Sequence, residues 1–362
     1  MTRIFNFGAG PAMLPTAVME KARDEFLDFR GMGAGIIEIS HRSPEFEAVL
    51  NRTDQLFREL SGLPDNYEIL YVHGGAQMQF SAVPLNLFNL KPAHKAAFVE
   101  SGHWAVLARK EASRFGNVTT AASSEATNFD RIPDFDPAQL DPETSYVHIT
   151  SNNTIYGTRW QQFPDTGNIP LVADMTSELL SRRLDYNKFG IVFSGLQKNL
   201  GPAGLAVVLI RKDLLGHALP HTPSLLDYSV YAKNHSLYNT NNTFAMYMMG
   251  LVLEWLKDQG GVDAIEAINE QKARTLYDVI DSSDFYIGAT HPDHRSRMTV
   301  TFNLADNSLL DKFVKEALDR GLYALKGHRL VGGVRASIYN AMPLEGCQAL
   351  AAFMKEFERN RG

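Results

Sequence analysis

Short, nearly continuous apolar runs alternate with amphipathic stretches over the first two-thirds of the chain. Tyr67–Val72, Ala96–Val99, Tyr146–Ile149, Leu171–Ala173, Ile191–Phe193 and Leu205–Ile210 each end in Gly, Ser, Asp or a polar cluster. Runs of this length bounded by turn residues read as strands buried on both faces. Between them, Glu45–Leu60 and Ala76–Leu87 carry apolar residues at helical spacing. Ahead of them, Thr16–Phe29 reads as a helix with Thr16 at its N-cap and Val18, Ala22, Phe26 and Phe29 on one face. Strands alternating with helices from about residue 65 to 210 predict a right-handed, mainly parallel α/β sheet.

Beyond Ile210 the pattern changes. Leu214–Tyr231, with Pro220 and Pro223, has no clean period and reads as loop; Thr243 reads as the N-cap of an apolar helix from Phe244. Gly260-Gly261 marks a boundary, followed by a helix over Val262–Ile280, an alternating strand over Arg297–Leu304, a helix over Ser308–Arg320, a strand over Val334–Ile338 and a helix over Leu344–Arg359. This predicts a large domain over residues 16–260 and a smaller α+β domain over 261–362, joined by the Gly- and Pro-rich segment 1–15.

Composition narrows the class. Of 362 residues, 44% are hydrophobic and 21% charged, as in ordinary globular proteins, and a net charge of −6 with dispersed basic residues argues against a nucleic-acid partner. The single cysteine, Cys347, allows no intrachain disulfide. No apolar stretch approaches the ~20 residues of a membrane span. The opening MTRIFNFGAGPAML lacks the apolar core of a signal peptide, so the expectation is a cytoplasmic protein. No His, Cys, Asp or Glu cluster has metal-ligand spacing.

The chemistry concentrates in two places. Lys198 follows the strand Ile191–Phe193 and precedes Gly201-Pro202-Ala203-Gly204 and a second apolar run. A lysine there either points to solvent from a loop or is held in an apolar setting of the kind that suits Schiff-base lysines. Upstream, Asp174 closes the run Leu171–Ala173, where it is either a helix N-cap or a carboxylate at the ligand-binding edge of a parallel sheet. Together they form the pair that pyridoxal 5'-phosphate (PLP) requires, a lysine for its aldehyde and an acid for its ring nitrogen. Gly74-Gly75 between strand and helix is either a tight turn or an anion cradle. Trp104, just past a strand end, is either core or a stacking surface. Arg42, Arg329 and Arg335, the first two preceded by His41 and His328, are suited to anions, or in Arg335's case to an internal salt bridge.

Four segments are similar to those of the phosphoserine aminotransferases, class-V members of the fold-type I PLP enzymes: FNFGAGPAMLP, VADMTSELLSRRLD, SGLQKNLGPAGLAVV and ALKGHRLVGGVRASIYNAMPLEG. The resemblance runs nearly end to end. It implies a large domain with a mainly parallel seven-stranded sheet and a smaller C-terminal domain. Lys198 would be the Schiff-base and proton-shuttling residue, Asp174 the partner of the ring nitrogen, Trp104 the stacking surface and Thr154 a contact of the ring hydroxyl. Ala76, Gln77 and Gln197 would receive the cofactor phosphate, joined by Asn239 and Thr240 from the second subunit of a homodimer. Arg335 would clamp the substrate α-carboxylate, and His41, Arg42, His328 and Arg329 the distal anion.

The expected reaction moves the amino group from L-glutamate to 3-phosphohydroxypyruvate, giving O-phospho-L-serine and 2-oxoglutarate in serine biosynthesis. A second expected substrate is the phosphorylated four-carbon analogue used in pyridoxine biosynthesis. The alternative is a class-V aminotransferase for a non-phosphorylated keto acid; a desulfurase is disfavoured because Cys347 lies in the C-terminal helical region, and a non-enzymatic PLP-binding protein because both Asp174 and Lys198 are present. The chain departs from some relatives at Ala76-Gln77, where they carry Gly-Arg, and at Ala9, where they carry a hydroxyl residue.

Overall fold

The computed structural model describes residues 3–361; residues 1, 2 and 362, at the outer ends of the joining segment and of the expected small domain, lie outside it. Its centre is a seven-stranded sheet in the order Tyr67–Gly74, Gly204–Arg211, Ile191–Gly195, Leu171–Asp174, Thr144–Thr150, Lys95–Glu100, Asn117–Ser123. Every neighbouring pair is parallel except those made by Gly204–Arg211, which runs antiparallel to both neighbours. The reason is local: Leu196–Ala203 is shorter than the dozen or more residues a parallel crossover needs, so the chain returns beside the strand it left.

Successive side chains of the inner strands enter opposite cores. Tyr146, Val172 and Phe193 pack with Phe80 and Val83 of the helix Ala76–Leu87. Val147, Ala173 and Val192 pack on the other face with Leu56 of Pro44–Ser61 and Met246 of Thr243–Asp258. This period-two division makes a three-layer α/β/α sandwich. Asn117–Ser123, mostly exposed, has no such pattern, and the sequence reading missed it.

A second core joins Phe7, Leu276, Val300, Phe302, Phe313, Leu350 and Phe357. Here a three-stranded antiparallel sheet, Tyr286–Gly288, Thr299–Leu304 and Val334–Ser337, packs with the helices Gly261–Asp281 and Leu344–Arg359. The N-terminal Phe5–Asn6 pairs parallel with Leu322–Tyr323 and so ties the opening segment to this core. The long helix straddles both cores: Val262 and Ile265 belong to the large one, Ala273 to Ile280 to the small one. Gly260 breaks the chain before it at φ 93°, where a Cβ would also press within 2.9 Å of Ala264.

Three local expectations are corrected. The first helix spans Thr16–Asp24 behind an N-cap at Pro15, so Thr16 is its first residue; the backbone turns away before Phe29, although Phe29 is still buried. Asn242, not Thr243, caps Thr243–Asp258, its side chain accepting the Ala245 N–H at 3.0 Å. The stretch read as loop over Leu214–Tyr231 contains the start of a short helix, Tyr228–Lys233, capped by Asp227.

Candidate active site

The carboxyl ends of the parallel strands and the start of the antiparallel one converge on a cavity of about 610 Å³. Its wall includes Ala9, Gly10 and Pro11 of the opening segment, Ala76, Gln77, Trp104, Thr154, Asp174, Gln197 and Lys198 of the large core, and His328 and Arg335 of the small one.

Asp174 ends its strand beside Thr150 and Phe193 and is 5% exposed. It caps no helix: a turn follows, and its Oδ1 accepts the Thr176 N–H at 2.9 Å. Burial pushes its pKa up, opposed by the Thr176 hydrogen bonds and the charge of Lys198. Thr176 Oγ1 in turn accepts the Gly195 N–H at 3.2 Å, joining Asp174 to the strand end that leads to Lys198. Asn152, in the polar strand end that also carries Thr154, lines the cavity too, as do Thr176 and Ser177, which were missed, since isolated polar residues after a strand carry no periodic signal.

Lys198 faces the cavity rather than bulk solvent. Burial lowers its pKa to about 8, with Asp174 raising it and Arg335 lowering it. Above Lys198 crosses the opening segment, fixed where Ala12 N–H donates to Gln197 O at 2.9 Å. At Gly10 an added Cβ would stand 3.6 Å from Lys198 Cγ.

The glycine pair opens the helix Ala76–Leu87 with no side-chain cap, and the first backbone N–H groups, with the positive helix terminus, face the cavity. Across from it, Gly102 begins the helix that carries Trp104; a Cβ on Gly102 would lie 2.4 Å from Asn153 Oδ1, so only glycine permits this approach. The Trp104 Nε1–H is buried without a protein acceptor among the described residues.

Arg335 lies on the strand Val334–Ser337, and its Nη1–H donates to Thr154 O at 3.2 Å. Burial lowers its pKa, and among the described residues its Nε–H has no acceptor and no carboxylate pairs with it. An internal salt bridge is therefore not its role. A half-buried guanidinium with spare donors is a receptor for a ligand carboxylate.

Five expected residues stand apart from this wall. Arg42 Nε–H donates to His41 Nε2 at 3.2 Å in the loop before Pro44–Ser61, and burial together with the Arg42 charge lowers the His41 pKa. Arg329 is exposed beside His328. Asn239 Oδ1 meets His73 Nε2 at 3.2 Å, and Thr240 is exposed. Among the described residues, none of these five lines the cavity that holds Lys198.

The cavity thus offers a nitrogen nucleophile, a buried carboxylate, an aromatic face, an anion cradle and a free guanidinium, the parts needed to hold a planar, phosphorylated heteroaromatic carbonyl compound beside an amino acid. Residues 4–350 match the family model described as aminotransferase class-V. The curated phosphoserine aminotransferase of Bacillus subtilis (strain 168) is 51% identical over 360 residues, covering 99% of each chain. The solved phosphoserine aminotransferase from Bacillus circulans subsp. alkalophilus superposes with a TM-score of 0.96 at 46% identity over 99% of each chain. A PLP-bound phosphoserine aminotransferase from Trichomonas vaginalis gives 0.92 at 36% identity over 98% of this chain and 100% of that one. The chain belongs to the class-V aminotransferase family, with the fold-type I architecture.

Proposed function

We propose that the chain is a PLP-dependent phosphoserine aminotransferase, moving the amino group of L-glutamate to 3-phosphohydroxypyruvate. The observation that carries this reading is the meeting of Lys198, Asp174 and Arg335 in one cavity. The full-length likeness to phosphoserine aminotransferases supports it.

The residues fit the cofactor. Lys198, its pKa lowered to about 8, supplies the amine for the aldehyde; Asp174 the anion for the ring nitrogen; Trp104 the stacking face; and Thr154 a hydroxyl. The uncapped helix N-terminus at Ala76-Gln77, with Gln197, supplies donors for the phosphate. Bound there, PLP supplies an electron sink that makes the substrate Cα–H acidic. Buried, Asp174 holds a proton on the ring nitrogen, an ion pair that relieves its own desolvation. Arg335 orients the amino acid through its α-carboxylate. Lys198 Nζ, when not covalently engaged, would carry the proton between the substrate Cα and C4′ of the cofactor. The strap Ala9–Pro11 covers this nitrogen and restricts water.

The remaining roles belong to the same reading. His41, Arg42, His328 and Arg329 form the distal anion pocket, and Asn239 and Thr240 reach the phosphate of the other subunit of a homodimer. His328 lines the cavity, whereas the placement of His41, Arg42, Arg329, Asn239 and Thr240 off its wall within one chain supports a site completed by a second copy. A mixed dimer of Lys198→Ala and Thr240→Ala chains tests this: recovery of one intact site supports sharing, and no recovery refutes it. The large domain 16–260 binds PLP and the domain 261–362 carries Arg335, supported by their separate cores. The phosphorylated four-carbon keto acid of pyridoxine biosynthesis is a second substrate, and the protein works in the cytoplasm; among the described residues no helix is long and apolar enough to cross a membrane.

The test is a half-reaction on PLP-loaded protein, with O-phosphoserine in one cuvette and serine in another. Fast conversion of the cofactor to its amine form by phosphoserine, with little by serine, is expected. Conversion by glutamate but not by phosphoserine would retain an aminotransferase and discard the phosphorylated substrate.

A further inference from the structure

Lys272, on the helix Gly261–Asp281, is fully buried, a costly place for an ammonium unless it is paired. Among the described residues no carboxylate pairs with it. Its Nζ instead donates to three main-chain carbonyls: Ile338 at 3.0 Å, Tyr339 at 2.8 Å and Met342 at 3.0 Å. Burial lowers its pKa to about 7, with Cys347 acting in the opposite direction. Three acceptors match the three N–H bonds of the charged form, whereas the neutral amine has only two.

The turn it holds is a junction. Ile338 directly follows the strand Val334–Ser337 that bears Arg335. Tyr339 Oη–H donates to Ala9 O at 2.8 Å, in the strap that closes the cavity. Asn340 N–H donates to Asn199 Oδ1 at 3.1 Å, on the residue after Lys198, and Asn340 Nδ2–H donates to Leu180 O at 2.9 Å. Asn269, one turn before Lys272 on the same helix, donates to Asn340 Oδ1 at 2.9 Å and to Ser181 O at 3.1 Å.

Arg335 stands on a strand of the smaller core and Lys198 on a turn of the larger, and the Arg335 Nη1–H bond to Thr154 O also crosses between them. We propose that Lys272 is a positioning residue: by clamping the turn Ile338–Met342 it fixes the spacing between Arg335 and Lys198 that one amino acid must span with its carboxylate and its nitrogen. Lys272 itself touches neither substrate nor cofactor. This rests on the transaminase reading of the cavity.

The test compares the PLP-loaded wild type with Lys272→Met, which keeps the unbranched stem and removes the donors. Two quantities are read: KM for glutamate, and the affinity by calorimetry of glutarate, a dicarboxylate that has no amino group and does not react. Both are expected to weaken about tenfold or more, in keeping with the cost of small displacements at a reacting centre, while PLP content stays at the wild-type level. A lower melting temperature with KM and glutarate affinity unchanged would make Lys272 a purely structural residue and overturn the proposal.

Should Lys272→Met not fold, Tyr339→Phe removes only the link to Ala9, and a loss of about threefold or more in both readouts is expected from one hydrogen bond; no change in either would overturn the proposal equally. A wild type that binds glutarate but does not transaminate would refute the reading of the reaction and leave the glutarate comparison to decide the role of Lys272.

Discussion

Arg335 is predicted to cost the free protein stability and to return that cost when substrate binds. It is half-buried with a lowered pKa, its Nη1–H spends one donor on Thr154 O, and no carboxylate among the described residues neutralises it. Arg335→Lys keeps the charge but loses the planar fork, and with it at least one charge-assisted hydrogen bond to the substrate carboxylate. Such a bond contributes about 1.5–3 kcal/mol. At about 1.4 kcal/mol per decade this predicts a fall in kcat/KM of roughly 10- to 150-fold. Arg335→Met removes the charge entirely and falls further. The same Met variant is expected to melt at a higher temperature than the wild type in the absence of substrate, because an uncompensated buried cation has been replaced by an apolar side chain. Steady-state kinetics with glutamate and 3-phosphohydroxypyruvate, and thermal unfolding of the same preparations, give the two signs. Unchanged kcat/KM in Arg335→Lys would refute the assignment of the clamp. A lower melting temperature in Arg335→Met would show that an unrecognised anion already neutralises the guanidinium.

Other expectations concern charge inside the fold. Lys198 has a folded pKa of about 8, below its ordinary value of 10.5, so between these values the unfolded chain binds more protons and stability rises with pH. In cofactor-free protein the penalty is fully present below about pH 8, at roughly 2–3 kcal/mol after allowing for partial exposure. Lys198→Met should therefore raise the melting temperature at pH 7, with the gain shrinking towards pH 10, and should abolish turnover; an equal gain at both pH values would contradict the linkage. Glu178 is fully buried, its Oε1 lying 2.9 Å from Arg182 Nε and 3.9 Å from Arg159 Nε. Glu178→Gln leaves Arg182 without its carboxylate and Arg159 with Glu270 alone, at 3.9 Å, and is expected to cost about 3–5 kcal/mol. It should appear as a melting temperature lower by several degrees, and an unchanged one would mean that the pair contributes nothing net.

What was legible in the sequence follows from the range of each signal. The inner strands were legible because burial on both faces demands unbroken apolar runs such as Ile191–Phe193 and Leu205–Ile210, and the helices Ala76–Leu87 and Leu344–Arg359 appear with the bounds their periodicity gives. Asp174 and Lys198 stood out as charges at the ends of buried strands. Capping was misread where two candidates adjoin: at Asn242-Thr243 the choice depends on which side chain reaches the Ala245 N–H, a matter of backbone torsion rather than of residue type. The edge strand Asn117–Ser123 went unseen because a strand in contact with solvent needs no apolar run.

The sequence by itself determined which segments must be buried and which titratable groups stand beside them. The tertiary structure decided which distant groups meet. It set the opening segment over Lys198, left Arg335 without a carboxylate partner among the described residues, and fastened the turn after Arg335 to Lys272 and Asn199. Periodicity is a property of neighbouring residues, whereas these contacts join segments tens to hundreds of positions apart, and their geometry exists only once both cores have packed around the same helix.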